Sequence, residues 1–286
     1  MEERNERGET LKEFLARYDE TQYRRPSNTV DMILLTVLKG KLKVLLVKRK
    51  DHPFIHDWAM PGGFVNFDED LDAAMKRELE EETNLFDSTY FRQLYTFGNA
   101  NRDPRTRVNT TVYLCMTPAE NIKMTSAGDD AMDTGWFTIQ KITTTTDGYE
   151  RKSVLMLDEE EKGIHLRYEI YDTACDNYVQ TRSKLLDSSN AKLAADHIKA
   201  INMAIDVVRN RAASTGIMFN LLPKECTLRE IQEVYEAIVN HPVDTGNFRR
   251  DIKKMLVATG NTTIVNGRKV ATYSFNPLLP FVKETL

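Results

Sequence analysis

Cysteine is scarce: Cys115, Cys175 and Cys226 are the three in 286 residues, and they lie far apart. That number and spacing exclude a disulfide framework and a cysteine zinc site. The three are expected to be small buried or half-buried residues. Long apolar runs are missing too. Met32 to Val37 is strongly apolar, but no stretch approaches the roughly 18 residues that a membrane span needs. The first residues, Met-Glu-Glu-Arg-Asn-Glu-Arg, have no apolar signal core and are too acidic for a transit peptide. A cytoplasmic location with no membrane partner is therefore expected. There is no internal repeat, and the threonine run at 143–146 is too short to count as low complexity. With 41% apolar and 29% charged residues the chain is neither disordered nor collagen-like.

The length suggests two domains, at roughly 100 to 200 residues each. Charge agrees with a division. The net charge of −4 would argue against nucleic acid, but residues 221–286 hold nine Lys/Arg against seven Asp/Glu, leaving thirty against thirty-six for the rest. Between Val243 and Val270 there are six basic and two acidic residues. Counted per domain, an acidic N-terminal part precedes a small basic one.

Leu11 to Tyr18 reads as a short amphipathic helix, and a polar run then leads into strands at Val30 to Val37 and Leu42 to Arg49 around a Lys39-Gly40-Lys41 turn. A loop with Pro53 and the segment Trp58-Ala-Met-Pro-Gly-Gly63 precede a Glu-rich helix from about Leu71 to Thr83. Strands follow at Tyr90 to Phe97, Val108 to Met116 and Thr134 to Ile139. Ser153 to Leu157 and Ile164 to Tyr171 look like an extra hairpin. One helix among many strands predicts an α+β fold with a mixed sheet. From Ala194, apolar residues at Ile198, Ile201, Ile205 and Val208 predict a long amphipathic helix, a natural connector.

On the helix from Leu71, at about 100° per residue, Glu78, Glu81 and Glu82 share a sector with Leu71, Ala74 and Met75, whereas Asp72, Lys76, Glu80 and Thr83 lie opposite. Three carboxylates thus point where the helix packs. Like charges at that spacing repel, and burial makes the repulsion worse. A divalent cation is the economical compensation; hard oxygen ligands suit Mg²⁺ or Mn²⁺ and leave room for substrate phosphates. Arg77, four residues before Glu81, can hold one carboxylate in place.

Gly63, five residues, Glu69, seven residues, then Arg77-Glu78-Leu79-Glu80-Glu81-Glu82-Thr83-Asn84-Leu85 resembles the Nudix box at every defined position but one. Asn84 stands where the family has Gly, at a helix end where Asn tolerates a left-handed conformation best after Gly. The resemblance implies a Nudix α/β/α sandwich that cleaves nucleoside diphosphates linked to another moiety. It makes Glu78, Glu81 and Glu82 the metal-binding carboxylates, with the Gly62 carbonyl as a further ligand and Gly63, Glu69 and Arg77 shaping or orienting the set. A distant carboxylate often assists in the family; Asp130 is the candidate, with Asp129 nearly as good. The stretches Tyr23 to Asp31, Trp58 to Val65, Gln93 to Gly98, Arg102-Asp103-Pro-Arg105 and Ala127 to Ala131 resemble ADP-ribose pyrophosphatases and, equally, the NrtR group, regulators of NAD metabolism that carry a Nudix domain. Arg49, Arg102 and Arg105, with Asp103 between the last two, would suit a pyrophosphate or ribose phosphate; the alternative is a salt-bridged turn. His52 and His56 are expected at the surface.

Thr227-Leu-Arg-Glu230 is a capping box opening an apolar-striped helix. A second helix, about Asn247 to Ala258 and stopped by Gly260, would place Arg249, Arg250, Lys253 and Lys254 on one face and Phe248, Ile252, Met255 and Leu256 on the other. Asn266-Gly267 is a strong hairpin signal with Arg268 and Lys269 at the tip. This order is that of a winged helix-turn-helix, with double-stranded DNA as the expected partner, and it also resembles the C-terminal domain of NrtR. The expected division is a Nudix domain over residues 1–190 with an inserted hairpin at about 150–185, a connecting helix over 191–220, and a winged helix over 221–286. The first expected function is Mg²⁺-dependent hydrolysis of ADP-ribose or a related nucleoside diphosphate derivative. The alternative is a transcriptional regulator that senses ADP-ribose with little or no turnover. A homodimer is expected from the resemblance and from the two-fold symmetry usual in such DNA readers.

Overall fold

The computed structural model describes residues 2–83, 85, 89–122, 131–176, 178–276 and 278. Asn84, Asp129 and Asp130 lie outside the described residues. The first helix, α1 (Leu11–Arg17), is opened by a capping box of Thr10 and Glu13 and buries none of its residues. The strands β1 (Ser27–Leu38) and β2 (Lys41–Arg49) form the centre of a mixed sheet, edged by the short β3 (Trp58–Ala59) and β4 (Gly62–Phe64). After α2 (Leu71–Thr83) come β5 (Tyr90–Phe97), β6 (Val108–Met116), β7 (Ala131–Asp147), β8 (Glu150–Glu159), β9 (Ile164–Cys175) and β10 (Tyr178–Leu185). The sheet order is β10-β9-β8-β7-β2-β1-β6-β5, with β3 on β2 and β4 on β1. β1 and β6 run parallel.

β1 is apolar without interruption because both of its faces are covered. Val30, Met32 and Leu34 pack with Ala74, Met75 and Leu79 of α2. Ile33 and Leu35 face the other way, toward Ile198, Ile201 and Ile205 of α3 (His197–Ala212). The result is helix, sheet and helix in three layers.

The expected hairpin at 150–185 is larger than its apolar core predicts. β7 runs to Asp147, so the threonines at 143–146 are strand, and β10 adds a third antiparallel strand on β9. Solvent-facing threonines carry no alternating apolar signal, which is why the extension is not evident in the sequence. The helix expected from Ala194 starts at His197 instead. Leu193 bridges to Trp58, and Ala194 donates its N–H to the Trp58 carbonyl at 2.8 Å, so the lead-in is held as an extra strand. Thr83, expected on the outer face of α2, is buried, its hydroxyl bonded to the Leu79 carbonyl.

The C-terminal part is α4 (Leu228–Val239), α5 (Thr245–Ile252), β11 (Leu256–Val265) and β12 (Arg268–Phe275). The Thr227/Glu230 capping box forms on α4, and Asn240 ends it in the left-handed region. The second helix is shorter than expected. A 3-10 turn at Lys253–Met255 follows α5, and Leu256 already belongs to β11. Gly260 therefore does not stop a helix; with φ +79° it sits where the β11–β12 register shifts between Ala258 and Thr262. The β-branched and aromatic partners on β12 win that segment for the sheet. Cys226 pairs with Tyr273 as a third strand of the wing. Ile231, Ile238, Phe248 and Ile252 join the same apolar cluster as α3 and one face of the large sheet. All three cysteines are free, Cys115 and Cys226 buried and Cys175 half-buried. Among the described residues no helix is long and apolar enough to cross a membrane.

Candidate functional site

The chain turns through β4 into α2 so that Gly62 lies against β1 and Gly63 faces the Glu78 carboxylate. A Cβ on Gly63 would lie 2.1 Å from Glu78 Oε1, and one on Gly62 would lie 2.1 Å from the Val30 carbonyl. At Gly62 the Val30 carbonyl and a φ of +151° both exclude a side chain, whereas at Gly63 a Cβ would have to displace the Glu78 carboxylate. Glu78 is buried, and that burial pushes its carboxyl above the ordinary value, while Arg77 pulls the other way.

Arg77 organises the carboxylates. It donates from Nε and Nη2 to Glu69 at 2.9 and 3.0 Å, from Nη1 to Glu78 at 2.7 Å and to Glu81 at 3.2 Å, and from Nη2 to the Phe64 carbonyl at 3.1 Å. The guanidinium, helped by the Asn66 backbone N–H, holds the Glu69 carboxyl down to about 2. Glu81 is mostly exposed, 59% at the side chain, so the three glutamates differ in environment although they share a helix face.

Gly62, Gly63, Arg77, Glu78, Glu81 and Glu82 line a cavity of about 880 Å³. Arg49, Arg102, Asp103 and Arg105 line it as well. Arg49 donates from Nε to the Pro53 carbonyl at 2.8 Å. Arg105 pairs with Asp103 at 2.8 and 3.1 Å and lies over the Phe64 ring, while Arg102 turns away to Asp196. The expected salt-bridged turn and the cavity-lining basic group are thus both present in one loop. His52 and His56 are exposed, and His52 sits at the cavity.

Two further residues, Asp31 and His197, line the cavity, and Asp196 pairs with the cavity-lining Arg102. Asp31, on β1, accepts from Thr110 at 2.6 Å. Asp196 receives Arg102 Nη2 at 2.8 Å, across 94 positions of sequence. His197 accepts the Met60 N–H on Nδ1 at 2.9 Å. Burial pushes His197 below its ordinary value; Asp31 and Asp196 oppose that shift, and Arg102 and Arg49 add to it. The ring is neutral, with its proton on Nε2. An Asp-His pair opening an apolar-striped helix was the one available hint.

The donor set is carboxylate and carbonyl oxygen, which suits a hard divalent cation. The cradle that Gly63 leaves for a desolvated Glu78 carboxylate fits that use. Among the described residues no three acidic, His or Cys side chains converge on one point, and Arg77 bonds to both Glu78 and Glu81. In the winged helix, Arg249, Arg250, Lys253, Lys254, Arg268 and Lys269 are all exposed, with Arg250 beside Asp251 at 3.1 Å.

The family model for the NUDIX domain matches residues 26–157, and that for the NrtR DNA-binding winged helix domain matches residues 218–275. Over 143 residues the chain is 32% identical to the ADP-ribose pyrophosphatase of Methanocaldococcus jannaschii, covering 49% of this chain and 80% of that protein. The chain belongs to the Nudix family. Its Nudix domain is joined to an NrtR winged helix domain. The ADPR responsive transcriptional repressor NtrR of Acinetobacter baylyi is 28% identical over 266 residues, covering 92% of this chain and 87% of that protein. The crystal structure of Shewanella oneidensis NrtR with a 27mer DNA superposes with a TM-score of 0.58 at 26% identity, covering 87% of this chain and 93% of that one. Both likenesses extend over 87% or more of this chain.

Proposed function

We propose that this chain is a DNA-binding regulator whose Nudix cavity binds ADP-ribose or a related nucleoside diphosphate derivative. The observation that carries the reading is the union in one chain of a carboxylate- and arginine-lined cavity with a winged helix whose basic residues are exposed and whose apolar residues cluster with α3 and the large sheet. The likeness to the Acinetobacter repressor over both parts supports it. Arg49, Arg102 and Arg105 supply guanidinium groups for phosphate oxygens. Glu78, Glu81, Glu82 and the Gly62 carbonyl would hold Mg²⁺ or Mn²⁺. Arg249, Arg250, Lys253 and Lys254 would face the major groove and Arg268 and Lys269 the backbone, in a homodimer on a two-fold site. The test is a duplex shift at fixed salt: ADP-ribose should release the DNA, and a duplex that stays bound while calorimetry shows ADP-ribose bound would sink the reading.

Hydrolysis is the second reading, favoured by the complete carboxylate set on the cavity wall. When bound, the cation would neutralise phosphate charge and acidify a water. Arg77, itself anchored by Glu69, would hold Glu78 and Glu81 in place, and Arg102 or Arg105 would hold the pyrophosphate against them. Asp130 remains the proposed assisting carboxylate. Release of AMP from ADP-ribose, lost in Glu82→Gln, is the expected result; no AMP from either protein would remove hydrolysis.

A further inference from the structure

α3 runs from the cavity to α4, the first helix of the winged helix. Its first residue, His197, lines the cavity. Asp196 sits at its N-cap, where an Asp side chain ordinarily accepts an N–H of the first turn. Here it makes no such bond. Its carboxylate instead takes Arg102 Nη2 and Nε at 2.8 and 3.3 Å. Arg102 is 6% exposed at the side chain, and its Nη2 also lies 3.9 Å from Asp31. At the far end, Arg209 donates from Nε to the Ile238 carbonyl in the last turn of α4 at 2.9 Å, and from Nη1 to the Lys141 carbonyl of β7 at 3.3 Å. Between these ends Ile198, Ile201, Ile205 and Val208 are buried, so the helix is packed to move as a unit.

We propose that the Arg102–Asp196 pair is a ligand-sensitive latch, and that α3 carries its state from the cavity to the winged helix. The inference rests on the regulatory reading above. A diphosphate in the cavity offers more negative oxygens than a carboxylate and competes for the same edge of the Arg102 guanidinium. Asp196 has an alternative partner when Arg102 leaves: the Ile198 N–H of its own first turn, since the His197 and Lys199 N–H groups already bond to the Ala194 and Asp196 carbonyls. It therefore has two bonded states, and the ligand selects between them. The lead-in to α3 is anchored by Trp58 N–H to Lys192 carbonyl at 3.0 Å and by Met60 N–H to His197 at 2.9 Å, which makes it the pivot. Movement about that pivot reaches α4 through Arg209, and α5 follows α4 after a short turn.

The test uses the full chain, ADP-ribose as probe, and a duplex that the wild type selects from a randomised pool. Calorimetry reads ligand affinity, and fluorescence anisotropy at fixed salt reads DNA affinity. In the wild type, ADP-ribose should weaken DNA binding about tenfold or more. In Asp196→Asn, ADP-ribose should bind at least as tightly, DNA binding should already be weakened, and the ligand should change it by less than about twofold. Arg209→Gln should keep ligand affinity within about twofold and lose most of the DNA response; it decides alone if Asp196→Asn does not fold. A variant pair that binds ADP-ribose and responds like the wild type overturns the latch and leaves the regulatory reading standing. A wild type that binds ADP-ribose with no change in DNA affinity overturns both.

Discussion

The Nudix cavity and the winged-helix surface both concentrate charge, and they hold it differently. In the cavity Arg77 binds Glu69, Glu78 and Glu81 at once, and Arg102 is buried against Asp196. On the winged helix the six basic side chains stand in water. Charges fixed by desolvation and multiple partners recognise one ligand geometry, because few alternative arrangements are affordable. Exposed cations recognise any polyanion of suitable shape and do so in a salt-dependent way. The two parts of this chain therefore suit a small diphosphate and a duplex respectively.

Substitutions that treat one region as if it were the other break this comparison. The largest effect is expected for Arg77→Ala: divalent-cation binding, read by Mn²⁺ calorimetry, should weaken about 10- to 100-fold, as is usual for a residue that orients metal-binding carboxylates. A change no larger than for a surface residue would mean the cavity charges are merely solvated. Next is Gly63→Ala. Its methyl would meet Glu78 Oε1 at 2.1 Å, and urea unfolding should show a loss of about 1–3 kcal/mol. Arg249→Ala with Arg250→Ala should leave stability within about 0.5 kcal/mol. In the same variant DNA binding should weaken and the salt slope of log K should become shallower by about 4, two cations being lost from each protomer of the homodimer.

The smallest effect is in pH. Burial holds His197 below its ordinary value of 6.5 in the folded chain, so as pH falls the unfolded chain takes up this proton first. Its contribution to stability is full above about 6.5 and declines as pH drops below that value. Urea unfolding at pH 7.5 and 5.5 should show part of the acid loss removed in His197→Asn, whose amide oxygen can still accept the Met60 N–H.

Legibility in the sequence followed distance along the chain. The carboxylate face of α2 and the Gly63, Glu69 and Arg77 spacing lie within 20 residues, where helical period alone sets direction. The Thr227/Glu230 cap and the Asn266-Gly267 turn were equally local. The second helix of the wing was overestimated because Met255 and Leu256 fit a helical stripe as well as a strand, and the partner strand β12 decided between them. The β7–β10 extension carried too little alternation to be seen. The cavity positions of Asp31 and His197 and the pairing of Asp196 with Arg102 are not legible in the sequence, since the partners lie 79, 137 and 94 positions away.

What the sequence determined by itself, then, was chemistry borne by single elements: the box carboxylates on one helix face, the basic wing, and the order of the parts. Only the tertiary structure decided which of these groups are desolvated and what they are paired with. It seats Glu78 against a backbone with no room for a Cβ, and it turns Asp196 from its own helix to Arg102. Burial and pairing depend on surfaces brought together from distant strands, and their free energies exist only once those surfaces meet.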